Sequence, residues 1–392
     1  MSETIVVIGG GQAAAQLAVS LRQGGHRGPI TIICDEPHLP YQRPPLSKKF
    51  LAEYRDADAL FLRPASFWQG QDLTLALGTA AGAVDAGNRR VTLADGREIP
   101  YGTLVFATGT SARTLPVPGI DLAGVFLLRK IDNVVRLRPA LNDAKRIVIV
   151  GGGYIGLEVA AVVASEGRSV TVLEAEDRVL KRVTGPPTSA FYECAHRARG
   201  VDIRLGSRLT AIEGEARVSG VRLAGDARLP ADLVLVATGA RANDDLAAAS
   251  GLACQDGITV DEFARTGVPG IYAVGDCTRF PSRRYGRRLR LESVQNAIDQ
   301  AKAAAAAILG KPVAYDPVPW FWSDQYDIKL QIAGLADGYD SADTIGDPAA
   351  ARFAVEYRRG GRLIAVDAVN DARAHMLSRR RIAEETAAEA AA

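Results

Sequence analysis

Residues 146–174 read RIVIVGGGYIGLEVAAVVASEGRSVTVLE, and the order of segments in this stretch decides the fold. An apolar run at 146–150 leads into three glycines, an apolar small-residue segment continues to about Glu166, and a second apolar run at 169–173 ends at Glu174. Short β-branched runs bounded by glycine are typical of strands, and the segment between them is long enough for a helix. The stretch therefore predicts a strand, a tight loop, a helix and a second strand.

The same order occurs at the start of the chain. Residues 4–8, TIVVI, precede a second run of three glycines, and a small-residue helix is predicted from Ala15 to about Gln23. The apolar run that follows ends in the acids Asp35 and Glu36. Each unit has the size and order of a dinucleotide-binding unit.

A third repetition supports this pairing. Residues 104–109, LVFATG, recur as VLVATG at 234–239, each near the end of its own unit. The predicted fold is therefore α/β, with two Rossmann-like dinucleotide-binding domains and a smaller α+β C-terminal domain. The predicted boundaries are 1–112 with 245–315 for the first domain, 113–244 for the second and 316–392 for the third.

The glycine loops predict two phosphate sites. Glycine lets backbone N–H groups approach a phosphate, and the N-terminus of the following helix attracts negative charge. An acid at the end of the second strand can hydrogen-bond a ribose, which selects Glu36 (with Asp35 as the other option) and Glu174. Because a carboxylate at Glu174 repels a 2′-phosphate, NADPH is disfavoured relative to NADH.

Composition excludes several classes of protein. The 47 basic and 45 acidic residues give a net charge of +2, which offers no general case for nucleic acid binding. The apolar segment 147–164 is interrupted by glycines, so no membrane span is predicted. No secretory signal is recognised, and a cytoplasmic location is expected. The four histidines have no metal-binding spacing, so no metal site is predicted.

At this level of detail the chain resembles the flavoproteins with two dinucleotide-binding domains. Within them it is most similar to the NADH-dependent ferredoxin reductases of bacterial oxygenase systems, the group of putidaredoxin reductase and biphenyl dioxygenase reductase. The segments that carry the resemblance are YQRPPLSK at 41–48, ATG at 107–109, GDC at 275–277, ESVQNA at 292–297 and PWFWSDQ at 319–325.

The resemblance implies that FAD binds the first domain and NADH the second, and that the C-terminal domain forms the interface with the acceptor. The residues implied for FAD are Gly9, Gly11, Ala14, Asp35, Glu36, Arg43, Lys48, Thr108, Gly109, Asp276, Ser293, Val294 and Trp322. The residues implied for NADH are Gly151, Gly153, Tyr154, Ile155, Gly156, Glu174 and Gly239.

Five side chains are implied to act in the reaction. Glu158 would face the nicotinamide and pair with Lys48, although an acid in the first turn of a helix is also explained by the helix dipole. Tyr154 would cover the flavin, or simply pack. Trp320 and Trp322 would lie on the route to the acceptor, or fill a C-terminal core.

The implied reaction passes hydride from NADH to FAD and then single electrons to a [2Fe–2S] ferredoxin of a cytochrome P450 or dioxygenase system. Disulfide reductases of this superfamily carry a redox cysteine pair near Lys48, but this chain has no cysteine between Cys34 and Cys194. A thiol relay is therefore not expected, and Cys277 is interpreted as a packing residue.

A basic cluster indicates where an acidic ferredoxin could dock. Residues 279–290 contain no acid and six arginines: Arg279, Arg283, Arg284, Arg287, Arg288 and Arg290. A solvated surface loop is the simpler explanation of this cluster. A monomer is expected. The alternatives are a reductase of rubredoxin, oxygen or monodehydroascorbate, and a redox-sensing flavoprotein resembling apoptosis-inducing factor.

Overall fold

The structure is a computed structural model that describes residues 3–53 and 56–391, the last six of these as backbone only. The helices are α1 Gln12–Gln23, α2 Lys49–Glu53, α3 Ala65–Gly70, α4 Ile131–Asp143, α5 Tyr154–Ser165, α6 Pro186–Arg197, α7 Asp245–Ala249, α8 Val294–Ile308 and α9 Ala372–Ala391. Two short 3₁₀ helices span Pro44–Ser47 and Ala57–Leu60.

The strands of the first half of the chain are β1 Ile5–Ile8, β2 Ile30–Cys34, β3 Leu73–Leu77, β4 Ala81–Asp85, β5 Arg90–Leu93, β6 Glu98–Pro100, β7 Thr103–Phe106, β8 Thr110–Ala112, β9 Val125–Leu127, β10 Arg146–Val150, β11 Ser169–Leu173 and β12 Asp202–Arg204. Those of the second half are β13 Leu209–Gly214, β14 Val218–Leu223, β15 Arg228–Pro230, β16 Leu233–Val236, β17 Ala240–Ala242, β18 Ile258–Thr259, β19 Ile271–Ala273, β20 Thr278–Ser282, β21 Arg287–Leu289, β22 Trp320–Gln325, β23 Ile328–Gly334, β24 Ser341–Asp347, β25 Arg352–Arg359 and β26 Arg362–Val369.

The chain forms two compact units. The first comprises the described residues of Met1–Gln42, Ala57–Ser111 and Arg241–Pro319, and the second those of Arg43–Asp56, Ala112–Ala240 and Trp320–Ala392. The three-domain division made from the sequence stays a prediction.

The first unit is built on a parallel sheet with the strand order β19-β7-β1-β2-β3. Val7 of β1 lies between Ile32 of β2 and Val105 of β7, and all three are fully buried. Strands covered on both faces read as continuous apolar runs, which is why these segments show no alternation. Helices α1 and α8 pack together in the same core through small side chains, among them Ala18 and Ala304.

The second unit repeats this arrangement. Its parallel sheet has the order β12-β11-β10-β16-β9, with β10 between β11 and β16 as β1 lies between β2 and β7. The α/β fold with two Rossmann-like sheets is thereby confirmed. Residues 147–164 form most of β10, the glycine loop and most of α5. None of the described helices is both long and apolar enough to cross a membrane.

The second unit also holds the C-terminal sheet. Its strands are antiparallel in the order β22-β23-β26-β25-β24, and α9 packs against β23 and β26. A two-residue turn at Tyr326 and Asp327 joins β22 to β23, with Tyr326 at φ +57°. Because successive side chains of a strand point to opposite faces, β22 presents two different sets of residues.

Helix α1 begins three residues earlier than its predicted start at Ala15. Gly11 is the N-cap residue, so the first turn takes in Gln12, Ala13 and Ala14. Loop and helix share these residues, which a pattern of apolar spacing does not reveal.

Candidate functional site

The first glycine of each loop lies against the backbone of its own unit. A Cβ atom on Gly9 would lie 2.2 Å from the carbonyl oxygen of Ala107, and one on Gly151 would lie 2.5 Å from that of Ala237. Both glycines also have φ above +100°. Any side chain would therefore both clash and strain the backbone. The contact explains why the ATG segments recur: each supports the glycine loop of its unit.

The next loop glycines open the helix N-termini to a ligand. Gly11 and Gly153 are the N-caps of α1 and α5, and no side chain among the described residues caps either helix. A Cβ built on either one would meet no described atom within 4 Å. Uncapped N–H groups facing open space fit a pyrophosphate, which the helix dipole also attracts. The residues present therefore fit one dinucleotide on each unit.

The third loop positions differ between the units. A Cβ on Gly156 would lie 2.0 Å from the carbonyl oxygen of Gly151, so only glycine lets α5 approach its loop this closely. The corresponding Ala14 is fully buried in the first core, where its methyl group is accommodated. Ile155, in the first turn of α5, is partly buried.

The predicted ribose acids occupy different environments. Glu36 is 4% exposed and accepts a hydrogen bond from the Tyr41 hydroxyl at 2.7 Å, whereas Asp35 is exposed. Glu174 accepts hydrogen bonds from the backbone N–H groups of Gly152 at 2.7 Å and Glu176 at 2.9 Å. The Glu174 carboxylate is thus fixed at the glycine loop of the second unit.

Polar contacts hold the segments that carry the other predicted flavin residues of the first unit. The Thr108 hydroxyl donates to the Asn243 carbonyl at 2.6 Å, and Asn243 N–H donates to the Gly109 carbonyl at 3.0 Å. Asp276 follows Gly275, whose N–H donates to Gln300 at 2.7 Å. Asn243 and Gln300 were not predicted from the sequence; neither belongs to a recognisable motif.

Helix α8 begins at Val294, after Ser293. The Ser293 hydroxyl accepts a hydrogen bond from Asn296 N–H at 3.0 Å, so this N-terminus carries a serine cap. The predicted start near Ser293 is where the structure has it, and the dipole of this 15-residue helix has its positive end there.

Glu158 is the centre of a buried polar cluster in the second unit. The carboxylate is 3% exposed and lies 2.8 Å from the Lys48 ammonium. It also accepts hydrogen bonds from the hydroxyls of Ser47 at 2.5 Å and Ser323 at 2.6 Å. Three donors on one buried carboxylate hold it in one orientation. The sequence did not predict Ser47 or Ser323 as partners.

Tyr154 lies one helical turn before Glu158 on α5. Its ring stacks on Phe321 of β22 with the centroids 4.4 Å apart. Four helical residues rise about 6 Å and two strand residues about 7 Å. The spacing between Tyr154 and Glu158 along α5 is therefore close to the spacing between Phe321 and Ser323 along β22, so both contacts can form at once. Burial raises the pKa of the Tyr154 hydroxyl well above its usual value.

The alternate residues of β22 face the other way. The rings of Trp320 and Trp322 have centroids 5.6 Å apart, and the Trp320 ring contacts His375 at 5.9 Å and Arg379 at 5.0 Å. Both contacts come from α9. The two tryptophans are partly exposed, which suits a surface position better than a closed core.

The remaining predicted residues of the second unit, Arg43 and Gly239, have contacts of their own. The Arg43 guanidinium donates to the Arg129 carbonyl at 2.9 Å. Gly239 has φ +100°, and a Cβ there would lie 3.0 Å from the Arg182 guanidinium.

The arginines between 279 and 290 are not equivalent. Arg283, Arg287 and Arg288 are exposed, and Arg283 pairs with Glu262 at 3.5 Å. Arg290 is largely covered and pairs with Asp256 and Glu292. The surface charge of the cluster therefore rests on part of the predicted set.

None of the four cysteines forms a disulfide. Cys277 is fully buried, and burial raises the pKa of its thiol, so it is not disposed to act as a thiolate. Across the described residues, no cluster of three or more His, Cys, Asp or Glu side chains could hold a metal ion.

Known proteins match nearly the full length of the chain. Residues 3–301 match the pyridine nucleotide-disulphide oxidoreductase family and residues 320–392 the reductase C-terminal family. A ferredoxin–NAD(P)+ reductase from a Sphingomonas species is 45% identical, covering 96% of this chain and 92% of that protein. The ferredoxin reductase subunit of a 5,5′-dehydrodivanillate O-demethylase from a Sphingobium species is 44% identical, covering 97% and 93%.

A solved structure, the covalent putidaredoxin reductase–putidaredoxin complex, is 41% identical with a TM-score of 0.94, covering 98% of this chain and 93% of that chain. The fold described above thus has a counterpart in that structure over nearly the full length of both chains. This chain belongs to the pyridine nucleotide-disulphide oxidoreductase family and carries its reductase C-terminal domain.

Proposed function

We propose that the protein is an FAD-dependent NADH:ferredoxin reductase that supplies single electrons to a [2Fe–2S] ferredoxin of an oxygenase system. One observation carries the proposal: each unit has its own glycine loop at a helix N-terminus that no described side chain caps. Two such loops fit two dinucleotides, as a flavoenzyme that oxidises a nicotinamide nucleotide requires. The similarity to ferredoxin reductases over more than nine-tenths of the chain supports the choice of acceptor.

The protein groups have defined tasks in this proposal. FAD, when bound, accepts a hydride from NADH and releases the two electrons one at a time. Gly9, Gly11 and the N-terminus of α1 hold its pyrophosphate, and Glu36 accepts from its ribose. The serine-capped N-terminus of α8 favours negative charge on the flavin ring.

In the second unit, Gly151, Gly153 and the N-terminus of α5 hold the NADH pyrophosphate. Glu158 and Lys48 form the polar group at the nicotinamide. Glu158 takes no electrons; its fixed carboxylate orients the Lys48 ammonium.

The acidic loop after β11 supports NADH over NADPH. Glu174, Glu176 and Asp177 lie within four residues, and Lys181 pairs with the last two at 2.9 and 3.2 Å. Glu174 lacks such a partner among the described ion pairs, so it would repel a 2′-phosphate.

The cysteine positions support an acceptor outside this chain. No cysteine lies between Cys34 and Cys194, so the chain has no redox pair beside Lys48 to receive electrons. We propose that an acidic ferredoxin docks near the exposed Arg283, Arg287 and Arg288, which would accelerate encounter.

We place the reaction in the cytoplasm, where NADH is available, and propose a monomeric enzyme.

The test is an anaerobic titration of the purified protein with NADH, followed by addition of a [2Fe–2S] ferredoxin and cytochrome c. Bleaching of a flavin absorption band and ferredoxin-dependent cytochrome reduction are expected. A protein without flavin would contradict the proposal. Bleaching without ferredoxin-dependent transfer would reject the acceptor and retain the flavoprotein.

A further inference from the structure

A continuous series of hydrogen bonds leads away from Glu158 within the second unit. Ser323 donates to Glu158 at 2.6 Å, and the Gln325 amide N–H donates to the Ser323 hydroxyl at 3.1 Å. The Gln325 carbonyl lies 2.8 Å from His196 Nε2, and the Tyr326 hydroxyl lies 3.2 Å from His196 Nδ1. The three links between Glu158 and Tyr326 are buried: His196 and Ser323 are fully covered and Gln325 is 1% exposed.

The sequence places these groups by strand and helix periodicity. Ser323 and Gln325 are two residues apart on β22 and therefore share a face. His196 lies in the last turn of α6, and Tyr326 is the first turn residue after β22. Its φ of +57° is uncommon for a residue with a side chain, so the surrounding contacts hold it there.

The chemistry of each group fixes the direction of the series. The Gln325 carbonyl can only accept, so His196 must carry its proton on Nε2. The His196 Nδ1 is then an acceptor, and the Tyr326 hydroxyl donates a hydrogen bond to it. Burial, assisted by Arg199, lowers the pKa of His196 and keeps the ring neutral, against the opposing effect of the hydrogen bond that His196 donates to Gln325.

The same constraint continues inward. The Gln325 amide uses its carbonyl on His196, so its N–H group is turned to Ser323. The Ser323 hydroxyl accepts that bond and has one proton left, which it donates to Glu158. Every donor in the series therefore points toward the carboxylate, an arrangement in which successive hydrogen bonds strengthen one another.

The outer end is anchored by a cation. Arg199 lies over the Tyr326 ring, 4.5 Å from its centroid, and pairs with Asp327 at 2.8 Å. Both contacts hold the two turn residues after β22. A primary amide does not pass protons along readily, so Gln325 makes the series a means of orientation and not a proton path.

We propose that His196 is a positioning residue for Glu158, acting through the Gln325 amide and the Ser323 hydroxyl. If His196 is lost, the Gln325 amide can rotate, Ser323 donates to its carbonyl instead, and Glu158 loses one of three donors. The inference rests on the proposed function, because Glu158 orients Lys48 at the nicotinamide.

The first measurement needs no variant and no turnover. In the purified holoprotein labelled with ¹⁵N-histidine, long-range ¹H–¹⁵N NMR at pH 7 reports which nitrogen of each ring is protonated. The His196 signals are assigned by their loss in His196→Gln. The expected result is the Nε2–H form alone. A His196 ring protonated on Nδ1, or on both nitrogens, overturns the proposal.

The second measurement compares shape-matched variants by stopped-flow reduction with NADH. His196→Leu is expected to lower the limiting rate of flavin reduction roughly tenfold, with little change in half-saturation. His196→Gln, whose amide nitrogen replaces Nε2–H, is expected to recover most of that loss. His26→Leu, a buried histidine of the first unit, is the control for loss of an imidazole.

Equal rates for His196→Leu and His196→Gln would overturn the proposal. If His196→Leu does not fold, Ser323→Ala and Ser323→Thr form the second pair: only the threonine variant is expected to keep the rate. Wild-type protein that NADH does not reduce refutes the proposed function instead, and the NMR result still decides the proton position on His196.

Discussion

Glu158 and Lys48 form an ion pair of 2.8 Å although 110 residues separate them in the chain, and the carboxylate is almost entirely withdrawn from solvent. Replacing Glu158 by Gln keeps the shape and removes the charge that orients the ammonium. We expect flavin reduction by NADH to slow at least tenfold with the flavin still bound. Anaerobic stopped-flow absorbance measures the rate.

Glu166→Gln is the matched control for this change. Glu166 caps the C-terminal end of the same helix and pairs with Arg138 at the surface, with 23% of its side chain exposed. Such a pair contributes at most about 1 kcal/mol. A Glu166→Gln protein as slow as Glu158→Gln would show that the effect comes from the helix and not from the pair with Lys48.

The two glycine loops are expected to fail separately. Gly9→Ala places a methyl group 2.2 Å from a carbonyl oxygen and should yield protein without flavin. Gly151→Ala makes the equivalent clash in the second unit and should retain flavin while losing affinity for NADH. The flavin-to-protein absorbance ratio and a nucleotide titration distinguish the two outcomes.

Gly25→Ala and Gly167→Ala are the controls. Both glycines have positive φ but no described atom within 4 Å of a Cβ. They therefore report the backbone strain alone, about 1–2 kcal/mol. If Gly25→Ala lost flavin as readily as Gly9→Ala, close packing of the loop on Ala107 would not be the cause.

Nucleotide choice should depend on Glu174. Glu174→Ala removes a carboxylate that could accept from the NADH ribose and repel a 2′-phosphate. We expect kcat/KM for NADH to fall about tenfold, the value of one hydrogen bond to a charged group, and kcat/KM for NADPH to rise. Steady-state kinetics with both nucleotides measure the change. Glu193→Ala, which breaks a surface pair on α6, should leave the ratio unaltered.

Ferredoxin docking should depend on the exposed arginines. Combining Arg283→Ala, Arg287→Ala and Arg288→Ala should raise KM for an acidic ferredoxin about threefold to tenfold and weaken its dependence on salt. Reduction of ferricyanide, a small acceptor, should be unaffected. Arg89→Ala, at an exposed ion pair with Glu3 in the same unit, is the control. An unchanged salt dependence in the triple variant would move the docking site elsewhere.

Asp367 is expected to make stability depend on pH. It is fully buried on β26 and accepts a hydrogen bond from Tyr357 at 2.6 Å, and burial raises its pKa to about 6. A raised pKa means that the folded state binds the proton more tightly than the unfolded state. For this group stability is therefore greatest below about pH 4, and it declines by about 3 kcal/mol as the pH rises from about 4 through 6.

Asp367→Asn should remove this contribution and stabilise the protein at pH 7 to 8. The asparagine carbonyl still accepts from Tyr357, and its amide protons have Thr188 as a neighbour. Thermal unfolding of variant and wild type between pH 4 and 8 measures the difference. Asp343→Asn, exposed on β24 of the same sheet, should follow the wild-type curve. Parallel curves for Asp367→Asn and wild type would contradict the assignment.

The local parts of the fold were predictable from the sequence because their signals are local. Glycine loops, β-branched runs and the two ATG segments identify both parallel sheets. Within each unit, the glycine loop and the ATG segment that contacts it lie within about 100 residues of each other. Asp367 also left a signal, a lone acid in the run RLIAVDAV, but the sequence does not say that the strand is buried on both faces.

The cluster around Glu158 was predictable only in part. Its members come from segments 111 and 165 residues away, and Ser47 and Ser323 belong to residue types that are common on surfaces. Within the segment WFWSDQ, the sequence predicts roles for the two tryptophans alone. In the structure the alternate residues of the strand also make specific contacts. Phe321 and Ser323 contact α5, and Gln325 contacts α6.

The two faces of strand β22 thus contact different helices. Trp320 and Trp322, at even-numbered positions, lie on the face beside α9. Phe321 and Ser323, at odd-numbered positions, lie on the face that contacts α5. A substitution on one face of the strand therefore leaves the side chains of the other face in place. Insertion or deletion of a single residue within β22 would exchange the two sets over the rest of the strand. Chimeras that swap C-terminal sheets between reductases must therefore join at positions of the same parity.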